Sequence, residues 1–129
     1  MNHIQCYLYS SVILGLVHLL LTTTATTKVR GLAWNMGTRD DQPQPLHGKT
    51  GRLARSFENF KETFVFYVAL SLLVIFMQID NSYARTGAAL YFWSRLTYIP
   101  MYIFGFKPWR TLVWGVSLFG IVLLMLSLR

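Results

Sequence analysis

Charge is scarce in this 129-residue chain. Only 13% of its residues are Asp, Glu, Lys or Arg, against 53% hydrophobic. A soluble domain carries charge on roughly a quarter of its residues, and a mean hydropathy of +0.40 sets the chain apart from that class. Cysteine is nearly absent: Cys6 stands alone, which excludes an intrachain disulfide. With no cation near it in sequence to activate it, Cys6 reads as a small buried hydrophobe rather than a reactive thiol. His3, His18 and His47 lie far apart, so no Cys/His set has metal-ligand spacing. His18 is expected to be packed or hydrogen-bonded. No Gly-rich phosphate loop is present, nor a Ser/His/Asp set in a credible context. Met1-Asn2-His3 holds no Lys or Arg, so a secretory signal with a charged n-region is not expected, and the first apolar run is read as a retained span.

What is present is apolar length. The first run covers roughly 4–27 without a Lys, Arg, Asp or Glu, and a bilayer core needs about 20 such residues. A connector follows over 28–49, marked by Gly37, Pro43, Pro45 and Gly48. The second helix is expected to start near Thr50 or Gly51 and run to about Ile79, with its apolar span over 57–79. Asp80-Asn81-Ser82 makes a turn. A third span covers roughly 83–104 and includes Arg95 and Pro100. Gly105-Phe106-Lys107-Pro108 breaks the chain, and a fourth span runs over about 109–128.

The expected fold class is therefore an all-α integral membrane protein, a four-helix transmembrane bundle formed by a single domain over 1–129, because backbone in hydrocarbon must satisfy its own hydrogen bonds. The net charge of +7 does not point to nucleic acid. Its cations gather in the connectors: Lys28, Arg30, Arg39, Lys49, Arg52 and Arg55 on one, Lys107 and Arg110 on the other. The positive-inside bias puts both connectors in the cytoplasm and both termini outside, at the inner membrane if the cell is bacterial. Trp34, Trp93, Trp109 and Trp114 are candidate interface anchors.

Polar groups within such helices are costly and mark functional sites by default. Arg52, Arg55, Asn59 and Glu62 are spaced three, four and three apart, so they share one helical face. Phe66 is expected to extend that stripe inward, Glu58 lies on its margin, and Lys61 points elsewhere. Guanidinium groups pair with carboxylates in a fork, Glu62 accepts from an ammonium, and Asn59 offers both donor and acceptor. A small anionic peptide matches this set. The alternative is internal pairing that serves only to hold helices together. Tyr91, Arg95, Tyr98 and Tyr102 form a second stripe. Arg95 needs a partner, with Glu62, Glu58 or a ligand carboxylate as the candidates; core packing is the other reading for the tyrosines.

Arg52-Leu-Ala-Arg55-Ser-Phe-Glu-Asn59-Phe-Lys-Glu62 resembles the Arg-x-x-Arg-x-x-x-Asn-x-x-Glu signature of the MAPEG family, the membrane-associated proteins in eicosanoid and glutathione metabolism. Arg95-x-x-Tyr98-x-x-x-Tyr102, the later Arg110 and the four spans add to the resemblance, which covers nearly the whole chain. Gly51 departs from it, standing where the family has a glutamate. The resemblance implies a homotrimer that binds glutathione as co-substrate between subunits, without a metal. It implies glutathione contacts from Arg52, Arg55, Asn59, Glu62, Arg95, Tyr98 and Tyr102, and a catalytic Arg110 that activates the thiol. The expected function is a glutathione-dependent membrane transferase, with peroxidase activity as a companion expectation, acting on small lipophilic electrophiles that arrive through membrane lipid. The alternative is a non-catalytic lipid-binding or scaffold protein of the same family.

Overall fold

The computed structural model describes residues Met1–Arg129 and is entirely helical. Its elements are α1 (His3–Arg30), α2 (Leu32–Met36), α3 (Gly48–Phe76), α4 (Ser82–Phe104) and α5 (Lys107–Leu126). Four long helices pack into one bundle, with α4 and α5 forming the most extensive pair. Three of them, α1, α3 and α5, are long and apolar enough to cross a membrane.

Local chemistry sets the helix ends. Asn2 caps α1 in a reciprocal box with Gln5: Asn2 Oδ1 accepts from Gln5 N–H at 2.9 Å, and Gln5 Oε1 accepts from Asn2 N–H at 2.8 Å. α3 stops at Phe76, short of Ile79, and Gln78 just beyond it adopts a left-handed φ of 55°. Asn81 caps α4 through Ala84 N–H and also donates to the Ser127 carbonyl, tying the start of α4 to the end of α5. Asp80 in that turn accepts two bonds from Arg85, at 2.7 Å each. These bonds hold the Asp80 carboxyl below its usual range. The 28–49 connector is partly helical, because α1 continues to Arg30 and α2 follows. The Arg30 and Arg39 guanidinium groups both lie over the Trp34 ring, 5.1 and 5.5 Å from its centre. Gly51 is matched to this connector: a Cβ there would come within 2.6 Å of the Leu46 carbonyl oxygen.

The interior is unusually polar and the exterior apolar. Ser11, His18, Ser56, Thr63, Ser71, Ser94, Arg95 and Ser117 are buried, whereas Leu16, Leu20, Phe66, Phe76 and Phe119 are exposed. This inverted distribution is that of a chain solvated by lipid and neighbouring apolar surface. His18 is packed edge-on against Phe57 and Phe60, at 5.1 and 5.7 Å between ring centres. Cys6 corrects the sequence reading. It is exposed on the outer face of α1, because the inward face there is taken by Ile4, Ser11 and Leu14.

Arg52 reaches across to α4. Its Nη1 donates at 2.9 Å to the carbonyl of Ile103, in the last turn of α4, where helix carbonyls lack intrahelical partners and carry partial negative charge. Arg52→Ala is expected to lower stability by about 1 kcal/mol, with Arg52→Lys recovering part of the loss. Thermal unfolding in detergent reads this effect.

Candidate functional site

α3 presents its buried face through Ser56, Phe60, Thr63, Tyr67, Ser71 and Val74. The polar stripe runs beside that face rather than along it. Arg55 and Glu62 are exposed and Asn59 is half-buried. Phe66 is 62% exposed, so it continues the stripe outward, not inward. The offset is one helical position, about 100°. It leaves the stripe at the rim of the bundle, where a ligand can reach it.

α4 and α5 complete the opposite wall. Together with α3 they enclose an open cavity of about 330 Å³. Arg55, Glu58, Asn59 and Glu62 line it from α3, Tyr98 and Tyr102 from α4, and Arg110, Thr111 and Trp114 from α5. The turn that brings α5 back needs Gly105, which caps α4 with a left-handed φ of 77°, and Pro108, which suits the first turn of a helix. Arg110 lies over the Tyr102 ring at 4.9 Å, and Tyr102 leans on Tyr98 at 5.5 Å between ring centres. The Arg110 guanidinium is thus held by an aromatic face, not by a carboxylate.

Six residues singled out from sequence meet in this cavity: Arg55, Asn59, Glu62, Tyr98, Tyr102 and Arg110. Arg52 and Arg95 do not line it. Arg95 is 1% exposed and lies behind the wall. Its partners are neither Glu62 nor Glu58. Nη1 donates to Asn59 Oδ1 at 2.8 Å, Nη2 donates to Thr63 Oγ1 at 2.7 Å, and the rings of Tyr91 and Tyr98 flank the guanidinium at 5.7 and 5.3 Å. Tyr91 is equally removed from the cavity. It stacks on Tyr67 with ring centres 3.9 Å apart, and its hydroxyl meets Thr63 Oγ1 at 3.2 Å.

The chain's two ion pairs are Lys61–Glu58 and Arg85–Asp80. Lys61 reaches Glu58 from outside the cavity in an exposed contact, which stabilises little. Arg55, Glu62 and Arg110 are in neither pair. Of the internal pairing considered from sequence, Arg52 does meet a neighbouring helix, at the Ile103 carbonyl, whereas Arg55 bonds neither Asn59 nor Glu58 and Glu62 is not taken by Arg52. Sequence reasoning gave Glu58 a marginal place, missed Thr111, and read Trp114 as an interface anchor. Trp114 is one helical turn after Arg110, so the same i, i+4 rule that grouped the other residues places it on the Arg110 face.

A family model described as MAPEG family matches residues 7–129. No curated protein matches the chain, and no solved structure does either.

Proposed function

Since the chain belongs to the MAPEG family, an integral membrane family of four-helix bundles, we propose that it is a glutathione-dependent membrane transferase. The observation that carries this reading is the convergence of Arg55, Glu62 and Arg110 on one cavity with no ion pair among them. Charges left unpaired at a membrane protein's rim favour a ligand of matching charge. Glutathione carries two carboxylates, one ammonium and one thiol. Arg55 suits a carboxylate, Glu62 the ammonium, and Arg110 the sulfur.

The chemistry follows from that placement. A cation beside a thiol favours the ionised form, so Arg110 lowers the thiol pKa from its ordinary value of about 8.5 and raises the thiolate fraction at neutral pH. The thiol proton leaves to solvent. The sulfur lone pair then forms a C–S bond at an electrophilic carbon, and the displaced electron pair departs with a leaving group or is protonated on the neighbouring atom. Tyr98, Tyr102 and Trp114 offer aromatic surface to the lipophilic partner. With a hydroperoxide as electrophile, two glutathione molecules give the disulfide, an alcohol and water. The basic connectors face the cytoplasm, where glutathione is dissolved, and the apolar exterior is shared among lipid and two further copies in a homotrimer.

A second reading, lipid binding without catalysis, is favoured by a larger apolar groove of about 550 Å³ between α1, α3 and the end of α4. Leu20, Leu21, Val29, Leu53 and Ile103 line it, with Lys28 as its only charged group. Titration of the purified protein with glutathione in detergent, following thiolate absorbance, separates the readings. Saturable binding with a thiolate signal is expected. Glu62→Gln should weaken the dissociation constant about 10- to 100-fold, the span set by losing a charged hydrogen bond, and leave the thiolate signal at saturation unchanged. Absence of binding by intact wild-type oligomer would sink the transferase and leave the lipid-binding reading.

A further inference from the structure

Behind the cavity wall, the two terminal nitrogens of Arg95 bond Asn59 and Thr63 in one direction only, while its buried Nε has no partner. Arginine has donors and no acceptor. With Arg95 Nη1 at 2.8 Å from the Asn59 carboxamide, the group facing Arg95 must be the oxygen. The Asn59 NH2 is then left for the cavity that Asn59 lines. The freedom that an isolated asparagine has, to offer either donor or acceptor, is removed.

Arg95 is itself held by Thr63. A threonine hydroxyl has one donor and two acceptor sites, and three neighbours draw on them here. Thr63 Oγ1 accepts from Arg95 Nη2 at 2.7 Å and donates to the Phe60 carbonyl at 3.3 Å. The Tyr91 hydroxyl lies 3.2 Å from the same Oγ1, in a contact that either hydroxyl could donate. Tyr91 is fixed in turn by its stack on Tyr67. No carboxylate takes part, so the buried guanidinium is positioned by neutral oxygens and aromatic faces.

We propose that Arg95 and Thr63 are positioning residues that lock the Asn59 carboxamide with its N–H group toward the cavity, so that this position of the site accepts a carbonyl or carboxylate oxygen and discriminates against a donor. The inference deepens the glutathione reading and rests on it for the ligand, but the lock itself exists in the free protein. Arg95 is therefore not a ligand contact. Its effect on binding passes through Asn59.

The test uses the full-length protein in detergent, labelled with [15N]asparagine. The chain holds four asparagines, Asn2, Asn35, Asn59 and Asn81, and the Asn59 side-chain NH2 signal is assigned by its loss in Asn59→Asp. Thr63→Val removes the hydroxyl while keeping the branched shape, and Thr63→Ser keeps the hydroxyl. In the free protein, the Asn59 signal should move in Thr63→Val and stay at the wild-type position in Thr63→Ser. An Asn59 signal that is the same in all three proteins overturns the lock, whatever glutathione does.

Glutathione titration of the same samples gives the second arm. Thr63→Val is expected to weaken binding about tenfold, Thr63→Ser less than about twofold, and Asn59→Asp at least as much as Thr63→Val. Wild-type protein that binds no glutathione refutes the ligand assignment and leaves the free-protein signal to decide the lock. Thr63→Val that binds like wild type, with the Asn59 signal moved, overturns the claim that the lock serves binding. If Thr63→Val does not fold, Thr63→Cys takes its place, because a thiol is a weaker acceptor of similar size.

Discussion

Arg110→Ala is expected to lower kcat about a hundredfold while glutathione affinity changes less than about threefold. A preorganised charge aimed at developing anion is worth about two to three orders of magnitude in rate, whereas Arg55 and Glu62, which hold the peptide in the proposed complex, remain in place. Arg110 is well arranged for such a role. It is half-buried, rests on the Tyr102 ring at 4.9 Å and forms neither of the chain's ion pairs. No carboxylate of its own chain is in ion-pair contact with it. The pH profile carries the sign. In the wild type the thiol is ionised above its lowered pKa. In Arg110→Ala the bound thiol returns toward its ordinary value of about 8.5, so lost activity should come back as pH rises through that value. Arg110→Lys should fall between the two, since an ammonium keeps the charge but not the planar stack on Tyr102. Equal losses in turnover and affinity, with no alkaline shift, would make Arg110 a binding residue.

Gly87→Leu is expected to be the most damaging single change to the bundle. α4 and α5 touch backbone to backbone where Gly87 meets Gly120. A Cβ at Gly87 would lie 2.6 Å from the Gly120 carbonyl oxygen and 3.0 Å from Leu124 N, and a Cβ at Gly120 would lie 2.7 Å from the Gly87 oxygen. Small residues let membrane helices approach in this way. Alanine at a helix-interior glycine normally gains up to about 1 kcal/mol. Here the atoms in the way are backbone, so the helices themselves must part, and overpacking costs about 1–3 kcal/mol or more. Gly87→Ala should therefore destabilise on balance, and Gly87→Leu should abolish the folded hairpin. Gly115, on α5 with Gly120, is the control. Nothing lies within 4 Å of a Cβ there, so Gly115→Ala should raise the unfolding temperature in detergent. Equal responses at Gly87 and Gly115 would refute the contact.

The hairpin also bears on the cavity. Tyr98 and Tyr102 stand on α4 and Arg110, Thr111 and Trp114 on α5, so the separation of these two helices sets how far Arg110 lies from the α3 stripe. Gly87 variants that still fold should lose turnover before they lose structure, because a displacement of about 1 Å in a catalytic group is enough to cost about a hundredfold.

Several features were legible in one dimension. Apolar length and the place of the cations announced membrane helices, because hydropathy is a property of a local run. The spacings of Arg55, Asn59 and Glu62, and of Tyr98 and Tyr102, grouped residues that do line one cavity, because helical period is fixed by backbone geometry. The signature around those residues marked the family that matches residues 7–129.

Depth and partnership required the tertiary structure. A stripe gives a direction around one helix, but not what stands opposite or how far the helix is sunk into the bundle. Arg52 and Arg55 share a stripe, yet Arg52 meets the end of α4 and Arg55 the cavity. Arg95 and Tyr102 share another, yet Arg95 is behind the wall and Tyr102 forms part of it. The choice of Asn59 and Thr63 as the partners of Arg95, rather than Glu62, depends on the register of α3 against α4, which no local spacing encodes. The outward turn of Cys6 has the same origin, since burial is decided by which neighbours arrive. The sequence by itself determined which side chains lie in the membrane and which of them travel together. The packing of α3, α4 and α5 decided which of them line the cavity and which lie behind its wall.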